Sequence, residues 1–136
     1  MAICRYIEEL HPEPPLFGTT PIERALIEMW NRRMELELLI PIIDNFVHSS
    51  AFYKERLSQV PEIAHRGRMH AQARMRWLDS ELAKRSFITG DRYTVADITL
   101  QCALILGKNT GTPISNDLQH LARWFSDVSK RPTARA

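Results

Sequence analysis

The sequence predicts an all-α domain, a helical bundle, on three observations. No segment alternates apolar and polar residues over the length of a strand. Several long segments instead repeat apolar residues at i, i+3, i+4 and i+7, and helix-starting motifs stand at the head of two of them. At 136 residues the chain has about the length of one domain and can bury its own core.

Residues 2 to 10 carry Ile3, Ile7 and Leu10 at helical spacing. Nothing but Met1 precedes them as a cap, so the sequence reads as opening inside an element. His11-Pro12-Glu13-Pro14-Pro15-Leu16-Phe17-Gly18 has three prolines in four positions and then a glycine, which must leave the helix and run extended. A second helix begins at Thr20-Pro21-Ile22-Glu23, where Thr20 is the N-cap, Pro21 takes the first helical position and Glu23 completes a capping box. It is expected to run to about His48 with a kink at Pro41. On a 100° wheel Ile22, Leu26, Met29, Trp30, Leu36, Ile40 and Val47 share a broad arc, and Ile27, Met34 and Leu38 extend it sideways.

A third helix is expected from Pro61 to about Lys84, with Ala64, Gly67, Ala71, Met75, Leu78 and Leu82 as its apolar side. The small residues at 64, 67 and 71 would let another helix approach closely. Phe87-Ile88-Thr89-Gly90-Asp91 then turns the chain into Thr94-Val95-Ala96-Asp97, a second capping box in which Thr94 caps and Asp97 reaches back to its amide. From the cap alone, Asp97→Ala would cost about 1–2 kcal/mol. The helix that follows, about Val95 to Leu106, reads as a buried core helix that stops near Gly107; Cys102 within it is expected to behave as a small buried apolar residue. A last amphipathic helix runs from about Asn116 to Ser129 with Leu118, Leu121, Trp124, Phe125 and Val128.

Composition narrows the partners. Lys and Arg total 18 against 16 Asp and Glu, a net charge of +2 that falls short of the strongly basic balance of a nucleic-acid binder. The basic residues of the third helix, His65, Arg66, Arg68, His70, Arg74 and Arg76, point in several directions on the wheel and read first as a solvated face. Cys4 and Cys102 lie far apart, and no Cys/His cluster has the spacing of a metal site. A reducing, cytoplasmic setting is expected. The N-terminus has no secretory h-region, and no run of about 18 apolar residues could span a bilayer.

The order of these features carries a resemblance. Ala-Ile-Cys-Arg-Tyr-Ile-Glu, a Pro-rich stretch, two long helices, the Phe-Ile-Thr-Gly-Asp…Thr-Val-Ala-Asp-Ile box and a last helix with Leu-Ala-Arg-Trp-Phe…Lys-Arg-Pro together resemble a bacterial glutathione transferase from the end of its thioredoxin-like domain to nearly its C-terminus. The resemblance implies three parts: residues 1–10 as a remnant of the last thioredoxin-domain helix, 11–20 as a linker, and 21–136 as the all-helical C-terminal domain.

In that family glutathione sits mainly on the thioredoxin-like domain. The resemblance therefore implies no catalytic residue in this chain, no bound cofactor, and glutathione as co-substrate only where that domain is supplied. Cys4 matches the end of a helix rather than the turn that carries a catalytic cysteine. The second-substrate pocket, for a hydrophobic electrophile, would draw on Trp30, Arg33, Met34 and Glu37. The plainer reading of Arg33 and Glu37 is an intrahelical ion pair beside a core tryptophan. Family members dimerise through the two long helices, which makes Arg66, His70, Arg74 and Trp77 candidate homodimer contacts. The competing class is a non-catalytic dimerisation or binding module of the same fold.

Overall fold

In the computed structural model, which describes residues 1–135, the helical expectation holds. The helices are α1 (Ala2–Leu10), α2 (Pro21–Met34), α3 (Ile40–Ser49), α4 (Pro61–Leu82), α5 (Val95–Asn109) and α6 (Gln119–Ser129), with short 3-10 turns at Ala51–Tyr53 and Pro132–Arg135. No β-strand occurs among the described residues; Phe87 and Gly90 alone share a bridge. Position 136, the last of the expected helical domain, lies outside the described residues.

The capping box at the head of α2 forms as a closed ring of hydrogen bonds. The Glu23 amide donates to Thr20 Oγ1 at 3.2 Å, while the Glu23 carboxylate accepts from the Thr19 hydroxyl at 2.7 Å, the Thr19 amide at 2.9 Å and the Thr20 amide at 3.2 Å. These donors, the Thr19 hydroxyl foremost, lower the Glu23 pKa from 4.5 to about 2. Because the folded value lies below the unfolded one, the contribution of Glu23 to stability is fully present above about pH 4.5 and is lost as the pH falls through about 2. A carbon-detected titration of the Glu23 carboxyl should give a midpoint near 2; one near 4.5 would mean that the cap does not form in solution.

The single long helix expected from 21 to 48 is two helices joined by a π turn, Glu35–Leu39. Pro41 lacks an amide and its ring crowds the carbonyl four residues earlier, at Glu37, and a widened turn relieves that crowding. The core side of this segment also differs from the wheel's arc. Ile27, Trp30, Met34, Leu38 and Ile42 are buried, whereas Ile22, Leu26, Met29, Leu36 and Ile40 are exposed, Ile22 by 70%. The sideways extension of the arc is the face that packs.

Asparagines explain the inversion. Asn31 and Asn45, both fully buried, lie on the packed face and lower its apparent hydrophobicity. Each finds a threonine across the bundle: the Thr99 hydroxyl donates to Asn31 Oδ1 at 2.6 Å, and Asn45 Nδ2 donates to Thr112 Oγ1 at 2.9 Å. Buried amides are tolerated where such partners exist.

In α4 the six predicted apolar positions are the six buried ones. Gly67 lets α3 come so close that a Cβ there would lie 2.5 Å from the Pro41 carbonyl oxygen. Helix α5 continues past Gly107 to Asn109, because Gly107 is a packing residue with the Thr112 carbonyl 2.6 Å from where its Cβ would be. The chain turns at Gly111, whose φ of +86° suits glycine. Cys102 is exposed, as is Cys4. An apolar run such as Ile98–Leu106 still has an outer side.

The main core lies where α2, α4, α5 and α6 meet, with Met34, Leu78, Leu104 and Trp124 at its centre. A small second cluster of Phe17, Ile27 and Val95 ties the segment before α2 to the bundle. There the Val95 amide donates to the Leu16 carbonyl at 3.1 Å, and the Glu8 carboxylate accepts from the Leu16 and Phe17 amides, each at 2.9 Å.

Candidate functional site

The residues expected to line a pocket and those expected to face a partner meet in one cluster between α2, the π turn and α4. Trp30 and Trp77 stack with ring centroids 5.4 Å apart and planes 18° from parallel. The Arg33 guanidinium lies over both rings, 4.3 Å from the Trp77 centroid and 5.0 Å from that of Trp30. Arg74 covers Trp77 at 4.6 Å, and Arg85, just beyond α4, covers Trp30 at 4.5 Å. Each such contact is worth about 1 kcal/mol where it is partly desolvated.

Glu37, inside the π turn, joins the two helices. Its Oε2 accepts from Arg74 Nη2 at 2.7 Å and from Arg33 Nε at 3.4 Å, so the bond across the helices is shorter than the one along its own helix. Arg85 is held in turn by Glu81. An open cavity of about 510 Å³ adjoins the cluster, lined by Leu36, Glu37, Pro41, His70, Arg74 and Trp77.

Not every candidate belongs there. Met34 is fully buried and reaches no surface, so it is a core residue rather than a pocket wall. Trp30 is only 8% exposed and acts through its stack with Trp77. Arg66 and His70 are exposed on α4, and only His70 reaches the cavity. Arg85 is the member that sequence reasoning missed: it lies 55 positions from Trp30 by number, and no local pattern links them.

The Thr94–Asp97 box is a separate, structural site. The Asp97 carboxylate accepts from the Thr94 amide at 3.0 Å, the Thr94 hydroxyl at 3.2 Å, the Ile88 amide at 2.9 Å and Trp124 Nε1 at 3.1 Å. The Asp97 amide donates to the Thr94 carbonyl at 3.1 Å. Burial raises the Asp97 pKa above its usual 3.8, and the four hydrogen bonds oppose that rise.

Chemically, the tryptophan cluster brings to the cavity a half-buried indole, guanidinium donors and one carboxylate already engaged by two arginines. It presents no Ser, Cys or His poised beside a base. Among the described residues no group of three or more His, Cys, Asp or Glu is placed to hold a metal ion, and no helix is long and apolar enough to cross a membrane.

Comparison with known proteins gives a consistent picture. Residues 45–132 match the family model described as glutathione S-transferase, C-terminal domain. Among curated proteins, glutathione S-transferase 2 of Saccharomyces cerevisiae is 33% identical over 98% of this chain, which spans 58% of that protein. The crystal structure of Gtt2 from the same yeast superposes with a TM-score of 0.92 at 33% identity, covering 98% of this chain and 65% of that one. Elongation factor 1-gamma 2 of Oryza sativa is 25% identical over 96% of this chain, which covers 31% of that protein. The chain thus spans well under two thirds of the curated relatives it matches.

Proposed function

The chain belongs to the glutathione S-transferase C-terminal domain family, and on that premise we propose that it is the electrophile-binding half of a glutathione-conjugating enzyme. Residues 1–10 then end a thioredoxin-like domain, 11–20 link it to the bundle, and that domain holds glutathione and activates its thiol. Thiol activation needs a donor and a positive field beside the sulfur, because an unperturbed cysteinyl thiol has a pKa of about 8.5. The helical half contributes position: Trp77, covered by Arg33 and Arg74, forms one wall for a planar hydrophobic electrophile. The observation that carries this reading is Trp77, backed by its stack with Trp30, at the edge of a cavity of about 510 Å³, in a chain 33% identical to a transferase along nearly its whole length.

A homodimer in the cytoplasm completes the proposal. Its contacts would come from Arg66 and the exposed Ile40 beside the cavity, while His70, Arg74 and Trp77, expected as dimer contacts, are assigned to the electrophile site instead. A test uses the protein joined to its thioredoxin-like domain. Trp77→Leu should raise the KM for an aryl electrophile about three- to tenfold, the worth of a lost aromatic contact, and leave the KM for glutathione within about twofold. Equal losses for both substrates would refute the assignment of Trp77 to the electrophile. No conjugating activity in the two-domain protein would move the reading to a non-catalytic binding or dimerisation module of the same fold.

A further inference from the structure

At the far end of the α3–α4 pair, away from the tryptophan cluster, a second open cavity of about 410 Å³ is lined by His48, Ser49, Gln59, Ala64, His65 and Arg68, with Pro61 at its edge. No carboxylate lines it. Asp44, one turn before His48, packs instead toward Gly67, where its Cβ would lie 3.1 Å from an added Cβ. Arg74, further along α4, is engaged by Glu37, but Arg68 has no carboxylate within ion-pair distance among the described residues.

The rim is fixed by hydrogen bonds. Gln59 Nε2 donates to the Val47 and Ser50 carbonyls, each at 2.8 Å, and pins the loop to the end of α3. The Ser49 hydroxyl is turned inward to the Asn45 carbonyl at 2.6 Å. The Val60 amide donates to His48 Nδ1 at 3.2 Å. A neutral imidazole whose Nδ1 accepts carries its proton on Nε2. His48 Nε2 is therefore a hydrogen-bond donor and is unavailable as a metal ligand, so a pair of histidines that might suggest a metal points elsewhere.

We propose that this cavity binds a small-molecule oxyanion, a phosphate or carboxylate group held by Arg68, His65 and the Nε2–H of His48. Three donor-bearing side chains, one of them a guanidinium without a carboxylate partner, face a concavity that offers no side-chain negative charge to compete. An arginine fork suits either oxyanion. The site is independent of the tryptophan cluster and of the transferase reading.

The test is a titration of the full chain with inorganic phosphate, and separately with acetate, followed by long-range imidazole NMR and by the Arg68 Nε–H resonance. Saturable changes at His48, His65 and Arg68 support the proposal, with the Nε2–H tautomer of His48 visible before any anion is added. Arg68→Gln, at an exposed position on α4, should weaken binding about tenfold, the loss expected for a charge-assisted hydrogen bond. Saturation by phosphate alone assigns a phosphate ligand, and saturation by acetate as well extends the class to carboxylates. The proposal is overturned if neither anion saturates, if Arg68→Gln binds within twofold of the parent chain, or if the changes spread evenly to Arg66, His70 and Arg76.

Discussion

Asp97→Ala is expected to destabilise the chain by about 3–5 kcal/mol, well beyond the loss of a helix cap. Its carboxylate satisfies two donors of its own capping box and two from elsewhere, the Ile88 amide and Trp124 Nε1. Alanine would leave the Thr94 and Ile88 amides and the Trp124 indole buried without acceptors, at about 1–3 kcal/mol each, offset in part by no longer burying a charge. Asp97→Asn would not rescue it, since one of its two terminal atoms would turn N–H donors toward N–H donors. Thr20→Ala, which removes only a cap, serves as the yardstick at about 1 kcal/mol. Urea unfolding of the three variants decides: if Asp97→Ala loses no more than Thr20→Ala, the bridge from Asp97 to Trp124 carries no energy.

The two capping-box acids pull stability in opposite directions with pH. Glu23, with its pKa lowered, stabilises above its unfolded value and loses that contribution in acid. Asp97, with its pKa raised by burial, binds a proton more tightly folded than unfolded. Its contribution is therefore greatest below about 3.8 and declines as the pH rises through its folded value. Burial dominates at one cap and hydrogen bonding at the other.

What was legible in the sequence was local. The six buried positions of α4 follow from one clean period, and both capping boxes follow from residues three apart. The packed face of α2 and α3 is hidden from the wheel because one asparagine lies on it in each helix, Asn31 and Asn45, and their acceptability depends on Thr99 and Thr112, each more than sixty residues away. The same limit applies to the site. Arg33 and Glu37 are visible as an i, i+4 pair, but the stronger partner of Glu37 is Arg74, and the stacking partner of Trp30 is Trp77. Only packing of α2 and the π turn against α4 brings the two sets of candidates together. Cys102 is exposed and Gly107 is a packing residue for a related reason, since the strength of an apolar run does not reveal which side of it meets a neighbour.

Gly67→Ala tests that packing most directly, because helix propensity and tertiary fit predict opposite signs. In an isolated helix the change would stabilise by about 1 kcal/mol. Here the new methyl group would lie 2.5 Å from the Pro41 carbonyl oxygen and 3.0 Å from the Asn45 amide nitrogen, both backbone atoms of α3 that cannot rotate away. Helix α3 must shift outward, straining the Asn45–Thr112 hydrogen bond and the contact of Ile42 with Gly107. A net loss of about 2–3 kcal/mol is expected, typical of overpacking against backbone. The same shift would separate His48 from His65 and Arg68, which lie on opposite sides of this contact, so phosphate affinity should fall with stability. A rise in Tm on Gly67→Ala would mean that α3 and α4 are not so close, and the cavity at their end would lose the geometry on which its three donors depend.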